Sequence, residues 1–154
     1  MKREKAFTRK VDSKTGLAKV KLSNREDYWA FEDGKVRLGD DDVLQVYEEW
    51  FDGDMGLWWE GEPYVFIGES EHRYFLDDIM KDVGFVQGDK ESLQNPVVLH
   101  HDRNFRNFAS DNLEWVEKTD PRYKEYCEKK YQERKARYEE INAGRTMPNF
   151  PYWH

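Results

Sequence analysis

The chain has 154 residues and a formal net charge of −7, and its 38% hydrophobic, 37% charged and 16% aromatic content suits one folded domain better than a disordered chain. No apolar run approaches the roughly 18 residues of a membrane span, and the opening MKREKAFTRK has no apolar segment after its charges, so no membrane helix or secretory signal is expected and the expected location is cytoplasmic. A single cysteine, Cys127, excludes an internal disulfide and a CxxC zinc knuckle, and fits a reducing compartment.

In chain order, VDSKTGLAKVKL alternates polar and apolar residues around the turn signal Thr15-Gly16, which predicts an exposed hairpin. A second hairpin is predicted at Asp33-Gly34, between YWAFE and KVRLG. Asp40 to Asp42 read as the cap of a helix carrying Val43, Val46, Tyr47, Trp50 and Phe51 at spacings of three and four, with Gly53 past its end. Leu57-Trp58-Trp59 and Tyr64 to Ile67 read as two strands around Glu60 to Pro63. A second helical stripe follows in His72, Phe75, Leu76, Ile79, Met80 and Val83, with Ser70 as cap and Gly84 as stop. These apolar side chains are assigned to the core.

Gly88 to Pro96 is a polar loop, and Val97-Val98-Leu99 a short buried strand that leads into His100 and His101. Asp120-Pro121 has the form of an N-cap followed by proline at the first helical position, opening a helix with Tyr123, Cys127, Tyr131 and Tyr138 that runs to about Asn142. Gly144 to His154, with Pro148 and Pro151, forms a tail whose Phe150, Tyr152 and Trp153 are expected to dock on the body.

Charge is segregated along the chain. Residues 1 to 26 hold nine Lys/Arg against three Asp/Glu, residues 27 to 82 four against seventeen, and residues 83 to 154 twelve against twelve. An acidic middle third would repel a phosphate backbone, so any DNA contact is expected from the two ends. The acidic surface of residues 27 to 82 reads either as a solvated face or as the docking surface of a protein partner, basic or one that it would engage by mimicking DNA. Residues 2 to 21 form the densest basic patch, and Lys2, Arg3, Lys5, Arg9 and Lys10 are the DNA-arm candidates; a solubilising arm is the alternative.

The stretch HHDRNFRNFASDNLEWV, His100 to Val116, carries polar residues at fixed spacing. Asp102, Asn104, Asn107 and Asn112, followed by Leu113-Glu114-Trp115, resemble the loop and Asn-Leu-Glu-Trp pattern of phage-type HNH homing endonucleases. His72-Arg73 resembles the His-Arg pair that precedes the motif in this family. The resemblance covers residues 70 to 120 well and the first 60 hardly at all. Together with the elements read above, the expected fold is α+β: a small antiparallel sheet from the N-terminal hairpins and the Trp-rich strands, then helices and a ββα finger at residues 95 to 142. Residues 1–68 would form a β-rich region with an acidic helix, in the same domain or closely packed, residues 69–142 the ββα region, and residues 143–154 an aromatic tail.

The resemblance implies metal-assisted phosphodiester hydrolysis on DNA, with Mg2+ or another divalent cation as cofactor. His100 would be the general base, Asn112 the residue that holds the loop and the histidine ring, and Asp102, Asn104 and Asn107 the loop-forming residues. The sequence departs from the pattern at four places. Leu99 and Pro121 stand where metal ligands are expected, Arg103 replaces the loop glycine, and Phe108 replaces the second of two paired asparagines. In a register slipped by one residue, His101 becomes the base, His100 a metal ligand and Asp120 the second ligand, but Asp102, Asn104 and Asn107 then lose their positions. Arg103, Arg106, Lys118 and Arg122 would suit phosphate contacts beside such a site, or are scattered surface cations.

Blander roles stand beside these. A His-His pair at a strand end can be structural, the asparagines can satisfy the backbone of a tight loop, and Asp120 can be a helix cap. Two functions follow: a nuclease of phage type, or a non-catalytic descendant that inhibits or regulates a nuclease, polymerase or defence factor through its acidic, aromatic middle.

Overall fold

The computed structural model describes residues 9–22, 27–39, 41–48, 50–53, 56–59, 62–68 and 72–141, with the side chains of 50–53, 56–59, 138 and 141 outside the description. The fold is α+β; among the described residues every sheet pairs antiparallel and there are two α-helices. Among the described residues no helix is long and apolar enough to cross a membrane.

Both predicted hairpins form. β1 (Arg9–Val11), β2 (Ala18–Lys21), β3 (Tyr28–Phe31), β4 (Val36–Leu38) and β5 (Asp42–Val43) make a five-stranded sheet in chain order. The first turn is closed by Asp12, whose carboxylate accepts from the Thr15 N–H and hydroxyl, both at 2.9 Å, and pairs with Lys19 at 3.1 Å. The second places Gly34 at φ 86° under the backbone of Phe108; a Cβ there would lie 2.4 Å from the Phe108 carbonyl carbon. Only glycine fits, because the space is taken by main chain and the conformation is left-handed.

The helix expected over residues 43 to 51 is absent. Its residues form β5, then a bridge in which Tyr47 exchanges two hydrogen bonds with Tyr64 (2.8 and 2.9 Å), then β6 (Trp50–Gly53). Val43, Val46, Tyr47, Trp50 and Phe51 are β-branched or aromatic, types that pack well on a pleated surface, and Val43 pairs with β4, Tyr47 with Tyr64, and Trp50 and Phe51 with Trp59 and Trp58. Asp40, in the proposed cap, lies outside the described residues.

β6 pairs with β7 (Gly56–Trp59), and β8 (Tyr64–Phe66) pairs with β9 (Arg73–Phe75). The two strands read around Glu60 to Pro63 therefore both exist but pair elsewhere. The helix expected from His72 starts later, as α1 (Leu76–Asp82), because Arg73, Tyr74 and Phe75 complete a hairpin with Tyr64, Val65 and Phe66. Gly84, at φ 82°, follows its end as predicted; Ser70 lies outside the described residues.

β10 (Pro96–His100) and β11 (Leu113–Glu117) form a hairpin, and α2 (Pro121–Ile141) packs back onto β10, giving a ββα unit. One core of buried residues joins the halves: Val20, Ala30 and Val36 of the sheet share it with Val65, Met80, Phe85, Val98 and Leu113. A smaller cluster, Leu99, Phe105, Val116 and Tyr126, seals α2 to the hairpin. The tail, residues 143–154, lies outside the described residues.

Candidate functional site

β10 delivers His100 to the end of the hairpin, and the loop from His101 to Asn112 folds back around its ring. The side chain is 2% exposed. Its Nδ1 lies 3.0 Å from both the Asn104 and the Asn107 carbonyl oxygens. Carbonyls only accept, so Nδ1 carries the proton and the neutral ring keeps its lone pair on Nε2. No described residue hydrogen-bonds that nitrogen. Burial, against the pull of the two carbonyls, holds the imidazole below its ordinary value of 6.5. Tyr126 of α2 stacks on the ring at 4.9 Å, and Phe108 meets it edge-on at 5.0 Å.

The loop is held by its own carboxylate and amides. The Asp102 carboxylate accepts from the Asn104 N–H (2.8 Å), the Asn107 amide (2.8 Å) and the Asn112 amide (3.0 Å). Asn112 accepts from the Asp102 N–H at 2.9 Å and donates to the Asn107 carbonyl at 3.0 Å, so it fixes one of the two oxygens that hold His100. Although burial opposes it, bonds from Asn107, Asn104 and Asn112 hold the Asp102 carboxyl below its ordinary value of 3.8. Asn104 also accepts from the Arg106 N–H at 3.0 Å. Arg103 takes φ 62°, so the turn keeps a left-handed residue where the resemblance expects glycine, at a strain on the order of 1 kcal/mol.

His101 stands apart from this arrangement. It is exposed, and its Nε2 meets Glu114 at 2.8 Å. Glu114 lies 3.5 Å from Arg122, which binds Asp120 at 2.8 Å. Asp120 accepts from the Arg122 N–H at 2.8 Å and so caps α2. His101 and Asp120 thus end opposite sides of a surface ion-pair chain, and neither shares a partner with His100.

The two positions at which the resemblance expects metal ligands carry no side-chain donor. Leu99 is 2% exposed and packs with Phe105, Val116 and Tyr126, while Pro121 opens α2. Among the described residues no group of three or more His, Cys, Asp and Glu side chains could hold a metal ion. Mg2+ takes oxygen ligands, and the Leu99 and Pro121 side chains offer it none.

A cavity of about 350 Å3 opens beside His100, between α1, β10 and α2. Phe75, Phe108, Tyr123 and Tyr126 give it aromatic walls, and Glu62, Asp77, Asp78, Lys81 and Lys130 its charges. Glu62 is held by Lys130 (2.6 Å) and Arg134 (2.9 Å); burial works against the charged form, but the two cations bring its carboxyl below the ordinary range. Burial pushes the Tyr123 phenol up to about 12 and raises that of Tyr126 as well.

The candidate phosphate contacts are dispersed. Arg103 is bound to Glu125 at 2.6 Å and Arg106 to Glu48 at 2.9 Å; Lys118 is exposed. Arg9 lies over Phe85 and Lys10 over Trp29, at 5.1 and 5.5 Å from the ring centroids. Lys2, Arg3 and Lys5 lie outside the described residues. Sequence reading missed Tyr126, Glu62, Asp77 and Lys130. Tyr126 lies three residues after Tyr123 and four before Lys130, a spacing that would have placed it on the packed face of α2. Glu62 and Asp77 carry no such signal.

No protein-family model, no curated protein and no solved structure matches this chain.

Proposed function

We propose that this protein keeps an HNH-type ββα scaffold and uses it for binding rather than hydrolysis, inhibiting or regulating a protein partner such as a nuclease, polymerase or defence factor in the cytoplasm. The observation that carries this reading is Leu99. At the place where the pattern calls for a metal ligand, an aliphatic side chain is buried against Phe105, Val116 and Tyr126. The acidic middle supports a basic partner: residues 27 to 82 hold seventeen carboxylates against four cations, and Tyr47 and Phe66 sit exposed there with ring centroids 5.3 Å apart. Exposed aromatics of this kind are enriched at protein interfaces. Arg103 and Arg106, already bound to carboxylates, offer little to a phosphate backbone.

The second reading is metal-dependent DNA hydrolysis with His100 as base, and a specific observation favours it: the proton sits on Nδ1, leaving Nε2 able to accept one from water. One assay separates the two. Supercoiled plasmid incubated with the purified protein and Mg2+ or Mn2+ should stay intact, and DNA should not be retained at low salt. Nicking that disappears in His100→Ala but persists in His101→Ala would overturn the binding reading. Salt-dependent retention without nicks would overturn it in favour of a DNA-binding module.

A further inference from the structure

The cavity beside His100 combines features that select a ligand class. Its walls are aromatic, formed by Phe75, Phe108, Tyr123 and Tyr126. The lysines that reach it are both engaged, Lys81 with Asp77 at 2.7 Å and Lys130 with Glu62 at 2.6 Å. Of the three lining carboxylates, Glu62 is bound by Lys130 and Arg134 and Asp77 by Lys81, which leaves Asp78 outside any ion pair among the described residues. An anion is therefore disfavoured. A purely apolar ligand is disfavoured too, because it would strip water from the His100 Nε2 acceptor and leave it unpaired on a side chain that is 2% exposed.

We propose that this cavity receives a guanidinium group, the arginine side chain of a partner protein, which lies on the aromatic wall and donates to His100 Nε2 and to the Asp78 carboxylate. The inference rests on the binding reading above and names the chemistry of the partner. A planar cation with five donors can stack on a ring face and still reach two separate acceptors; a lysine ammonium meets only the charge requirement. The volume leaves room for the aliphatic stem as well as the head. Asp78 stands where a cation would relieve crowding: burial, then Asp77 and Asp82, raise its carboxyl. Buried arginines are also among the residues that dominate interface energies.

The test is a titration of the intact protein with N-acetyl-arginine amide, read by the 15N resonance of His100 Nε2. Saturable movement is expected, at least about tenfold tighter than with N-acetyl-lysine amide and weakened about tenfold in Asp78→Asn. Asp78 is exposed on α1, so this variant should keep the fold, which a one-dimensional spectrum checks. No saturable movement at millimolar concentration, equal binding by Asp78→Asn, or tighter binding of inorganic phosphate would each overturn the proposal. Failure here with plasmid left intact removes only the guanidinium site, whereas plasmid cleavage removes the binding reading itself.

Discussion

The imidazole of His100 lies flat on the ring of Tyr126, with centroids 4.9 Å apart and planes 6° from parallel. The contact ties the strand that bears the candidate base to the helix behind it. Tyr126 is 5% exposed and also joins Leu99, Phe105 and Val116. Tyr126→Ala should cost about 3–5 kcal/mol, as truncations of large buried aromatics do, whereas Tyr126→Phe should stay within about 1 kcal/mol because the ring remains. Urea unfolding of the two variants measures this. Equal losses would assign the contact to the hydroxyl and not to the stack.

Asn112 should be the most costly amide in the loop. Asn112→Ala removes the bonds of a buried amide to Asp102 and Asn107 and leaves the Asp102 N–H without its partner, at about 2–4 kcal/mol. Combined with Asp102→Ala, the losses should fall short of their sum, since both variants break the same network. A double-mutant cycle by chemical denaturation reads the coupling, and strict additivity would refute a shared network.

Stability should fall in two steps as the solution is acidified. Burial lowers the folded-state value of His100 below 6.5, so the fold prefers the neutral ring. That contribution is complete above 6.5 and declines as pH falls from there towards the lower folded-state value. Asp102, also depressed, keeps its contribution until pH falls below its ordinary 3.8. His100→Asn should lose the first step and keep the second. An imidazole that titrates at or above 6.5 by NMR would contradict the burial argument.

Gly34 joins the N-terminal sheet to the ββα loop. Gly34→Ala should destabilise by more than about 3 kcal/mol, because the new methyl meets the Phe108 main chain and the residue must also hold φ 86°. Gly16, at φ 74° with nothing within 4 Å, should cost only about 1 kcal/mol when replaced by alanine. Thermal unfolding of the pair separates close approach from backbone conformation.

A chelator should leave the thermal midpoint unchanged, and millimolar Mg2+ should not raise it, since a ligand stabilises only the state that binds it. A reproducible rise with Mg2+ that vanishes in His100→Ala would show a cation at the site and weaken the binding reading.

The resemblance put Asp102, Asn104, Asn107 and Asn112 in one loop, and every bond among these side chains and the backbone closes within ten residues of chain. The Asp120-Pro121 helix start and the Thr15-Gly16 and Asp33-Gly34 turns were legible for the same reason: cap and turn chemistry is local. The segment from Val43 to Phe51 was not. Its apolar residues fit a helical period, and pairing with β4, Tyr64 and β7 decided for strand. Sequence by itself thus determined the α+β class, the two N-terminal hairpins and the start of α2. Tertiary structure decided what surrounds His100: Tyr126 on its face, Glu62 and Asp77 at the cavity, and Glu48 and Glu125 holding the arginines read as candidate phosphate contacts. Those partners come from distant segments, chosen by packing and charge, and no periodicity along the chain records them.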